Sequence, residues 1–224
     1  MKRLRLCLTL TLALLLITTS VASAGRNANP GILPPNSRVQ GLTYGEWSAR
    51  YWQDILAIPA SENPAAGHYG PECYFERIGN VGLAVPTAGI AEIWCEVPAG
   101  MPLFVLVLAS ECSTLEPPPY YGGNEEDLRA CALGYAPTNL HANVDGIALQ
   151  DLSDYTVASP LFEFTLPVDN VYGLPPGTGQ SVSYGTWLML APLSAGEHTI
   201  SVGGTIPDVF TGALTYHITV TPGQ

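Results

Sequence analysis

The sequence predicts an all-β fold, an antiparallel two-sheet β-sandwich or jelly roll with one flanking N-terminal helix. Its 23 glycines and 20 prolines divide the 224-residue chain into short apolar segments, as turns separate the strands of an all-β domain. The segment 213–221 alternates apolar and polar residues, which is typical of a strand with one buried face. About nine such segments and a single strong helical pattern favour two packed sheets over alternating strands and helices.

The first 24 residues are typical of a secretory signal peptide. A basic start at 1–5 precedes an apolar run at 6–21, and Ala22-Ser23-Ala24 forms a small-residue cleavage site. The apolar run is shorter than the roughly 20 residues of a permanent membrane anchor. We therefore expect a secreted protein without membrane insertion. The sequence leaves open whether the protein stays in a periplasm or becomes extracellular.

The mature chain is expected to hold one domain behind a short arm. Residues 25–40 are rich in proline, asparagine and glycine and predict an extended N-terminal arm. Residues 41–224 contain no recognisable linker, so we expect a single β-sandwich domain there.

One helix is predicted directly after the arm. Thr43 and Glu46 have the spacing of a capping box. Trp47, Tyr51 and Ile55 recur every four residues, and the pattern ends after Ala57. We expect this aromatic stripe to pack on a sheet. A second, shorter helix is predicted at 125–133.

The strand predictions follow from short apolar runs bounded by turn residues. The 103–109 run is so apolar that we expect it to be covered on both faces, and Asp145-Gly146 predicts a type I′ hairpin. We also expect Trp94 and Trp187, which lie inside predicted strands, to be core residues. The predicted strands are 81–85, 90–97, 103–109, 141–144, 147–149, one strand over 155–158 and 161–166 that is interrupted at Pro160, 183–190, 198–202 and 213–221.

Four cysteines remain after cleavage of the signal peptide. Their separations match no zinc-binding pattern, and an exported protein enters an oxidising compartment, so disulfides are expected. Three pairings are possible. We favour the sequential one, Cys73 with Cys95 and Cys112 with Cys131, because each bond would tie a loop-rich segment to a neighbouring strand.

The charge balance argues against nucleic acid as a partner. Removal of Lys2, Arg3 and Arg5 leaves five basic residues against 19 acidic ones. Binding to phosphates requires a basic stripe, which this chain lacks. A cationic ligand, calcium or a neutral glycan fits this charge better, although acidity also serves solubility alone.

Three sequence motifs resemble those of a family of uncharacterised exported bacterial proteins. They are the 44–53 string YGEWSARYWQ, the 97–100 turn VPAG, and GEHTI at 196–200 followed by Gly203-Gly204. The similarity extends over most of the mature chain. It implies export and a compact β-rich domain, and it carries no activity to transfer.

Strong catalytic signatures are absent from the sequence. The four histidines, His68, His141, His198 and His217, occur singly, without a zinc-protease or cupin pattern. Strand carboxylates at Glu92, Glu96 and Glu163 could converge across a concave sheet face as in a glycoside hydrolase, or they could point to solvent. We therefore predict no catalytic residues, and a hydrolase remains the alternative.

Two acidic clusters are candidate calcium sites, because hard oxygen ligands in loops are what calcium selects. Neither matches the EF-hand loop, so solvated acidic loops are the competing interpretation. Asn143 belongs with the first cluster, and Glu111 and Glu116 belong with the second, in the acidic loop that Cys112 and Cys131 would close. The candidate ligands are Asp145, Asp151 and Asp154 in one cluster, and Glu125, Glu126 and Asp127 in the other.

The best candidate for ligand binding is the loop Pro117–Gly123. Its prolines hold Tyr120 and Tyr121 outward, and loops on a rigid sandwich commonly carry binding residues. Tyrosines folded back over a sheet edge are the alternative. We thus expect a non-enzymatic secreted protein that binds an extracellular glycan or protein surface through its loops. A self-associating cell-surface subunit is a further alternative, and the oligomeric state is left open.

Overall fold

In a computed structural model of the protein, two β-sheets pack together as a β-sandwich, which confirms the predicted architecture. The jelly-roll alternative stays a prediction. The structure describes residue 29 and residues 31–67 and 70–222. The predicted signal peptide, 1–24, lies outside the described residues.

The described residues form two α-helices and eleven strands, with short 3-10 turns at Ala60–Glu62, Pro64–Ala66 and Leu152–Tyr155. The helices are α1 (Tyr44–Ala57) and α2 (Glu125–Gly134). The strands are β1 (Tyr74–Ile78), β2 (Val81–Val85), β3 (Glu92–Pro98), β4 (Leu103–Ser113), β5 (Thr138–Val144), β6 (Ile147–Ala148), β7 (Thr156–Ala158), β8 (Phe162–Leu166), β9 (Gly177–Leu190), β10 (Gly196–Ile206) and β11 (Phe210–Thr221).

The two sheets are mixed, and most of their strand pairs are antiparallel, as expected. One sheet has the order β1-β2-β4-β9-β7 with β8 also paired to β9, and the other has the order β3-β11-β10-β5-β6. Two strand pairs, β2 with β4 and β3 with β11, are parallel. The chain leaves the first sheet at β2, runs through β3 in the second sheet, and returns at β4. Such a crossover brings β4 back beside β2 in the same direction.

Helix α1 begins and packs as its sequence predicts. Thr43 and Glu46 form a reciprocal capping box. Trp47, Tyr51 and Ile55 are buried, and the Tyr51 ring lies edge-on to Trp187 of β9 with 4.9 Å between ring centroids. The aromatic stripe therefore attaches the helix to the first sheet. The second predicted helix is also present, as α2.

Strand β4 is the central strand of the first sheet. Leu103, Phe104 and Val105 are fully buried, and Phe104 contacts the aromatic rings of Tyr44 and Trp47. Because neighbouring side chains point to opposite faces of a strand, β4 is covered on both faces, as predicted.

The hairpin turn between β5 and β6 is also confirmed. Asp145 and Gly146 both have positive φ angles, of 50° and 80°, which a type I′ turn requires.

Two features of the strands differ from the sequence prediction. Strand β1 was not predicted, because its sequence YFERI lacks a clear apolar alternation. Trp94 is 50% exposed and is not a core residue, although Trp187 is fully buried. The reason is the register of β3: Ile93, Cys95 and Val97 are buried, so Trp94 faces outward.

The described part of the predicted arm is fastened to the sandwich. Ile32 is buried and forms a bridge with Leu190 at the end of β9. The Asn29 side chain exchanges two hydrogen bonds with the backbone of Gln150. The segment therefore acts as a strap over the edge of the first sheet.

The four cysteines of the described residues form two disulfides with the favoured sequential pairing. Cys73 bonds Cys95 of β3, and Cys112 of β4 bonds Cys131 of α2. The second bond holds α2 against the first sheet. Among the described residues, no helix has the length and apolar character needed to cross a membrane.

Candidate functional site

Two glutamates with contacting carboxyl groups, Glu111 and Glu116, line a pocket of about 260 Å³. We call it the acid pocket. Glu111 lies near the end of β4, and Glu116 lies in the loop that follows. Four aromatic side chains also line the acid pocket: Trp52, Tyr120, Tyr135 and Tyr172.

Glu111 is almost fully buried and is held by hydroxyl groups. The Tyr172 hydroxyl donates to its Oε2 at 2.8 Å, and the Ser181 hydroxyl from β9 donates to its Oε1. Burial raises the pKa of Glu111, whereas the hydrogen bonds from Ser181, Glu116 and Tyr172 favour the charged form. The carboxyl group thus has hydrogen-bond partners on both oxygens.

Glu116 is the second carboxyl group of the pair. Burial, the negative charge of Glu111 and the hydrogen bond to Glu111 raise the pKa of Glu116 to about 9. The Ser113 hydroxyl also donates to Glu116 Oε2 at 2.9 Å. Because the pKa values of both groups are raised, the pair holds its protons more tightly than two exposed glutamates would.

The local sequence explains how the two carboxyl groups meet. Ser113 Oγ also accepts from the amides of Leu115 and Glu116, which turns the chain back directly after β4. Backbone hydrogen bonds from Ser113 to Tyr120 and from Gly122 to Ser113 close this loop on the end of the strand. The Cys112–Cys131 disulfide fixes the same strand end to α2.

Of the two tyrosines predicted to bind ligand, Tyr120 lines the acid pocket. Its ring packs against Tyr135, just beyond α2, with 5.1 Å between centroids. Tyr121 is half exposed and bridges Ser113 through its backbone. The loop therefore presents one tyrosine to the pocket and one to solvent.

A second cavity, which we call the apolar cavity, lies beside the acid pocket and has a volume of about 340 Å³. Trp52 lines both, and β4 runs from one to the other, with Leu106–Leu108 in the apolar cavity and Ala109–Glu111 in the acid pocket. The β10–β11 hairpin forms part of both walls as well, through Val209 and Phe210.

Asp145, His198 and Ser194 form a contact chain that has the outline of a catalytic triad. His198 Nδ1 lies 2.7 Å from Asp145 Oδ2, and His198 Nε2 lies 3.2 Å from Ser194 Oγ. However, Nε2 also lies 3.0 Å from the Ser194 carbonyl oxygen, which can only accept a proton. The hydrogen bond to Asp145 raises the pKa of His198 despite partial burial. This ring is therefore arranged as a doubly donating imidazolium, which cannot act as a base for Ser194.

The strand carboxylates considered for a hydrolase do not meet in either cavity. Glu92 lies 3.4 Å from His217 Nε2, and the His217 ring stacks on the outward-facing Trp94 with 4.6 Å between centroids. Glu96 and Glu163 are exposed, as is His141. His68 lies outside the described residues.

The structure does not assemble the candidate calcium ligands. No group of three or more His, Cys, Asp or Glu side chains within 29, 31–67 and 70–222 could hold a metal ion. Asp145 instead accepts from His198 and from the Thr199 amide, and Glu125 pairs with Arg129 at 2.6 Å. Asp127 Oδ2 accepts from Asn124, which caps α2. The remaining candidates, Glu126, Asp151 and Asp154, are exposed.

Sequence reasoning placed Glu111 and Glu116 in an acidic loop and did not pair them. A signal was present in Glu111-Cys112-Ser113, where a carboxylate and a turn-forming serine flank a disulfide cysteine at the end of a very apolar strand. A carboxylate attached to so buried a segment needs partners. Tyr172 and Ser181 are distant in sequence, so their contacts with Glu111 leave no local signal.

Comparisons with known proteins found no match: no family model fits this sequence, and no curated protein or solved structure is similar to it. The site is therefore interpreted from its own geometry.

Proposed function

We propose that this protein is an exported β-sandwich that binds a glycan in the acid pocket. The observation that carries the proposal is the presence of two contacting carboxyl groups and several aromatic walls in one concave site. Aromatic rings stack on the apolar faces of sugars, and carboxyl groups accept and donate hydrogen bonds to sugar hydroxyls.

The charge of the pocket narrows the ligand class. The carboxyl pair can carry only negative charge, and no basic side chain of the described residues lines the acid pocket. An anionic sugar would meet repulsion without a counter-charge. The proposed ligand is therefore a neutral or amine-bearing glycan.

Adjacent tyrosines provide a matched test of this proposal. Tyr120 lines the acid pocket, whereas its neighbour Tyr121 does not line it. Binding of neutral, amine-bearing and acidic oligosaccharides to the mature protein should be measured by glycan array and calorimetry. We expect Tyr120→Ala to weaken binding by about tenfold, since one aromatic contact is worth about 1.4 kcal/mol. Tyr121→Ala should change it less than about twofold. Equal losses in both variants, or no binding to any glycan, would refute the assignment.

A hydrolase is the second candidate, and the contact between two carboxyl groups with raised pKa values is the observation that favours it. Glu111 could take a proton from water while Glu116 protonates the leaving group, as paired carboxyl groups do in general acid–base catalysis. Glycosidases separate their carboxyl groups by about 5 Å or more, so this hydrogen-bonded pair suits an amide or ester bond of a substituted glycan better.

One variant distinguishes glycan binding alone from hydrolysis. Glu116→Gln keeps a hydrogen-bond donor beside Glu111 but has no proton to transfer, so turnover of acetylated oligosaccharides should stop while binding persists. Glu96→Gln, on the exposed face of β3, serves as the control. Absence of deacylation by the unaltered protein would leave binding alone as its function.

Export is part of the same proposal and rests on two supports. The two disulfides require an oxidising compartment to form, and the N-terminal sequence has the organisation of a signal peptide. The resemblance to exported bacterial proteins agrees with this. Mass spectrometry of the secreted protein should show cleavage after Ala24. Size-exclusion chromatography of that material tests the self-association alternative.

A further inference from the structure

We propose that the apolar cavity is a binding site for a small neutral molecule with an apolar body and one hydrogen-bonding oxygen. The inference does not depend on the glycan proposal, because the described walls of the two cavities share only Trp52.

The walls of this cavity are built from both sheets and from α1. Tyr51 and Ile55 come from α1, Leu106–Leu108 from β4, and Val202 and Leu214 from the second sheet. A β-bulge at Val107, where the register of β4 with β9 shifts, lies in this wall. A largely apolar lining of this kind is typical of ligand cavities, and 340 Å³ falls at the small end of their range.

A buried hydroxyl group in the wall of the cavity lacks a partner. Thr87 is 2% exposed and lines the cavity, and among the described residues its Oγ1 has no hydrogen-bond partner. The indole Nε1 of Trp52, which lines the same cavity, is likewise unpaired within the described part of the chain. Both atoms are enclosed by protein, so a ligand oxygen reaches either one only after its side chain rotates toward the cavity. Buried polar groups are normally satisfied, so a ligand oxygen is the expected partner of the Thr87 hydroxyl.

The ligand is expected to be uncharged. Among the described residues, no Lys, Arg, His, Asp or Glu lines the apolar cavity. A carboxylate or ammonium group placed there would be desolvated without a counter-charge, which is strongly unfavourable. A fatty acid anion is thereby disfavoured relative to an alcohol, ketone or ester of the same length.

The rim offers a route of entry. Phe210, in the wall of the cavity at the start of β11, is 52% exposed, and its neighbour Val209 is 50% exposed. Apolar side chains left in water at the mouth of an apolar cavity lower the cost of transferring a hydrophobic molecule from solvent.

Fluorescence of N-phenyl-1-naphthylamine, a neutral probe of apolar cavities, tests the site in the mature protein. We expect the probe to bind one site and 1-decanol to displace it at about tenfold lower concentration than decanoate at neutral pH. Absence of probe binding, or equal displacement by decanoate, would overturn the proposal.

Two variants assign the binding to this cavity. Val202→Phe fills it and should abolish probe binding. Thr87→Val replaces only the hydroxyl with a methyl group. It should lower the affinity for 1-decanol by about tenfold while leaving the probe bound. Thr165→Val is the matched control, because this threonine is exposed on β8 and pairs with Thr178.

The remaining outcomes also decide the question. If Val202→Phe fails to fold, Thr87→Val carries the test alone, and unchanged decanol affinity in that variant contradicts the proposal. Tyr120→Ala should leave probe binding unchanged, and a loss there would place the probe in the acid pocket. A protein that sediments as a dimer and excludes the probe would identify the cavity mouth as a contact between copies.

Discussion

Glu111 and Glu116 bring their carboxyl groups together inside the acid pocket, where burial raises the pKa of both. The contact depends on the Ser113 turn and on two hydroxyl donors that are distant in sequence, Tyr172 before β9 and Ser181 in β9. It makes both the chemistry and the stability of the protein sensitive to pH.

Stability should fall as the pH rises through neutrality. The pKa of Glu116 is raised from 4.5 to about 9 in the folded protein, so the folded state keeps a proton that the unfolded state loses. This contribution is fully present below pH 4.5 and is lost as the pH rises to about 9. Urea denaturation between pH 5.5 and 9 should show this decline, and Glu116→Gln should flatten it and be the more stable protein at pH 9. A Glu96→Gln control should keep the slope. If the stability of Glu116→Gln declined with pH as steeply as that of the unaltered protein, the raised pKa of Glu116 would be contradicted.

Removal of the Tyr172 hydroxyl should destabilise the acid pocket. Tyr172→Phe deletes the 2.8 Å hydrogen bond to Glu111 Oε2 and leaves a buried carboxyl oxygen short of a donor. Loss of a hydrogen bond to a charged group costs about 1.5 to 3 kcal/mol. Denaturant unfolding at pH 7 measures the difference. Tyr121→Phe is the control, since that tyrosine is half exposed; a similar loss there would rule out a specific role for the Glu111 contact.

The two strand tryptophans should differ sharply in their effect on stability. Trp187 is fully buried and stacks on Phe104 at 5.0 Å, so Trp187→Ala should cost about 3 to 5 kcal/mol. Trp94 is half exposed, and Trp94→Ala should cost less than about 1 kcal/mol. Thermal unfolding of both variants compares them directly. Equal losses would show that the register of β3 is different from the one described.

His198 should titrate as an ion-paired histidine. The hydrogen bond to Asp145 raises its pKa, so the pair stabilises the fold below the ordinary histidine pKa of about 6.5 and loses this effect as the pH rises through the raised value. Asp145→Asn should lower the pKa of His198, as followed by proton NMR of the imidazole. Ser194→Ala keeps the backbone carbonyl contact and should leave the raised pKa in place. A fall in that variant would mean that the serine hydroxyl is the controlling partner.

Local pattern was sufficient for most of the fold. The capping box at Thr43, the alternation of β11 and the Asp145-Gly146 turn each specify an element from neighbouring residues, and all three are present. The parallel pairs are not readable in this way, because β3 and β11 are distant in sequence and no turn joins them.

The candidate site was less predictable for the same physical reason. Tyr120 was recognised because the residues that mark its loop are its neighbours in sequence, and it does line a pocket. The partners of Glu111, Tyr172 and Ser181, come from 61 and 70 residues away in the chain. The packing of β4 against β9 brings Ser181 to Glu111, and the loop before β9 brings Tyr172 there. Composition carries no trace of either contact.

Trp52 is a common wall of the acid pocket and the apolar cavity. A ligand in one cavity that rotates this indole changes the volume left for a ligand in the other cavity. Thermodynamic reciprocity then requires that each occupant alter the affinity of the other by the same factor. The two proposed sites would then respond to their ligands together and not separately.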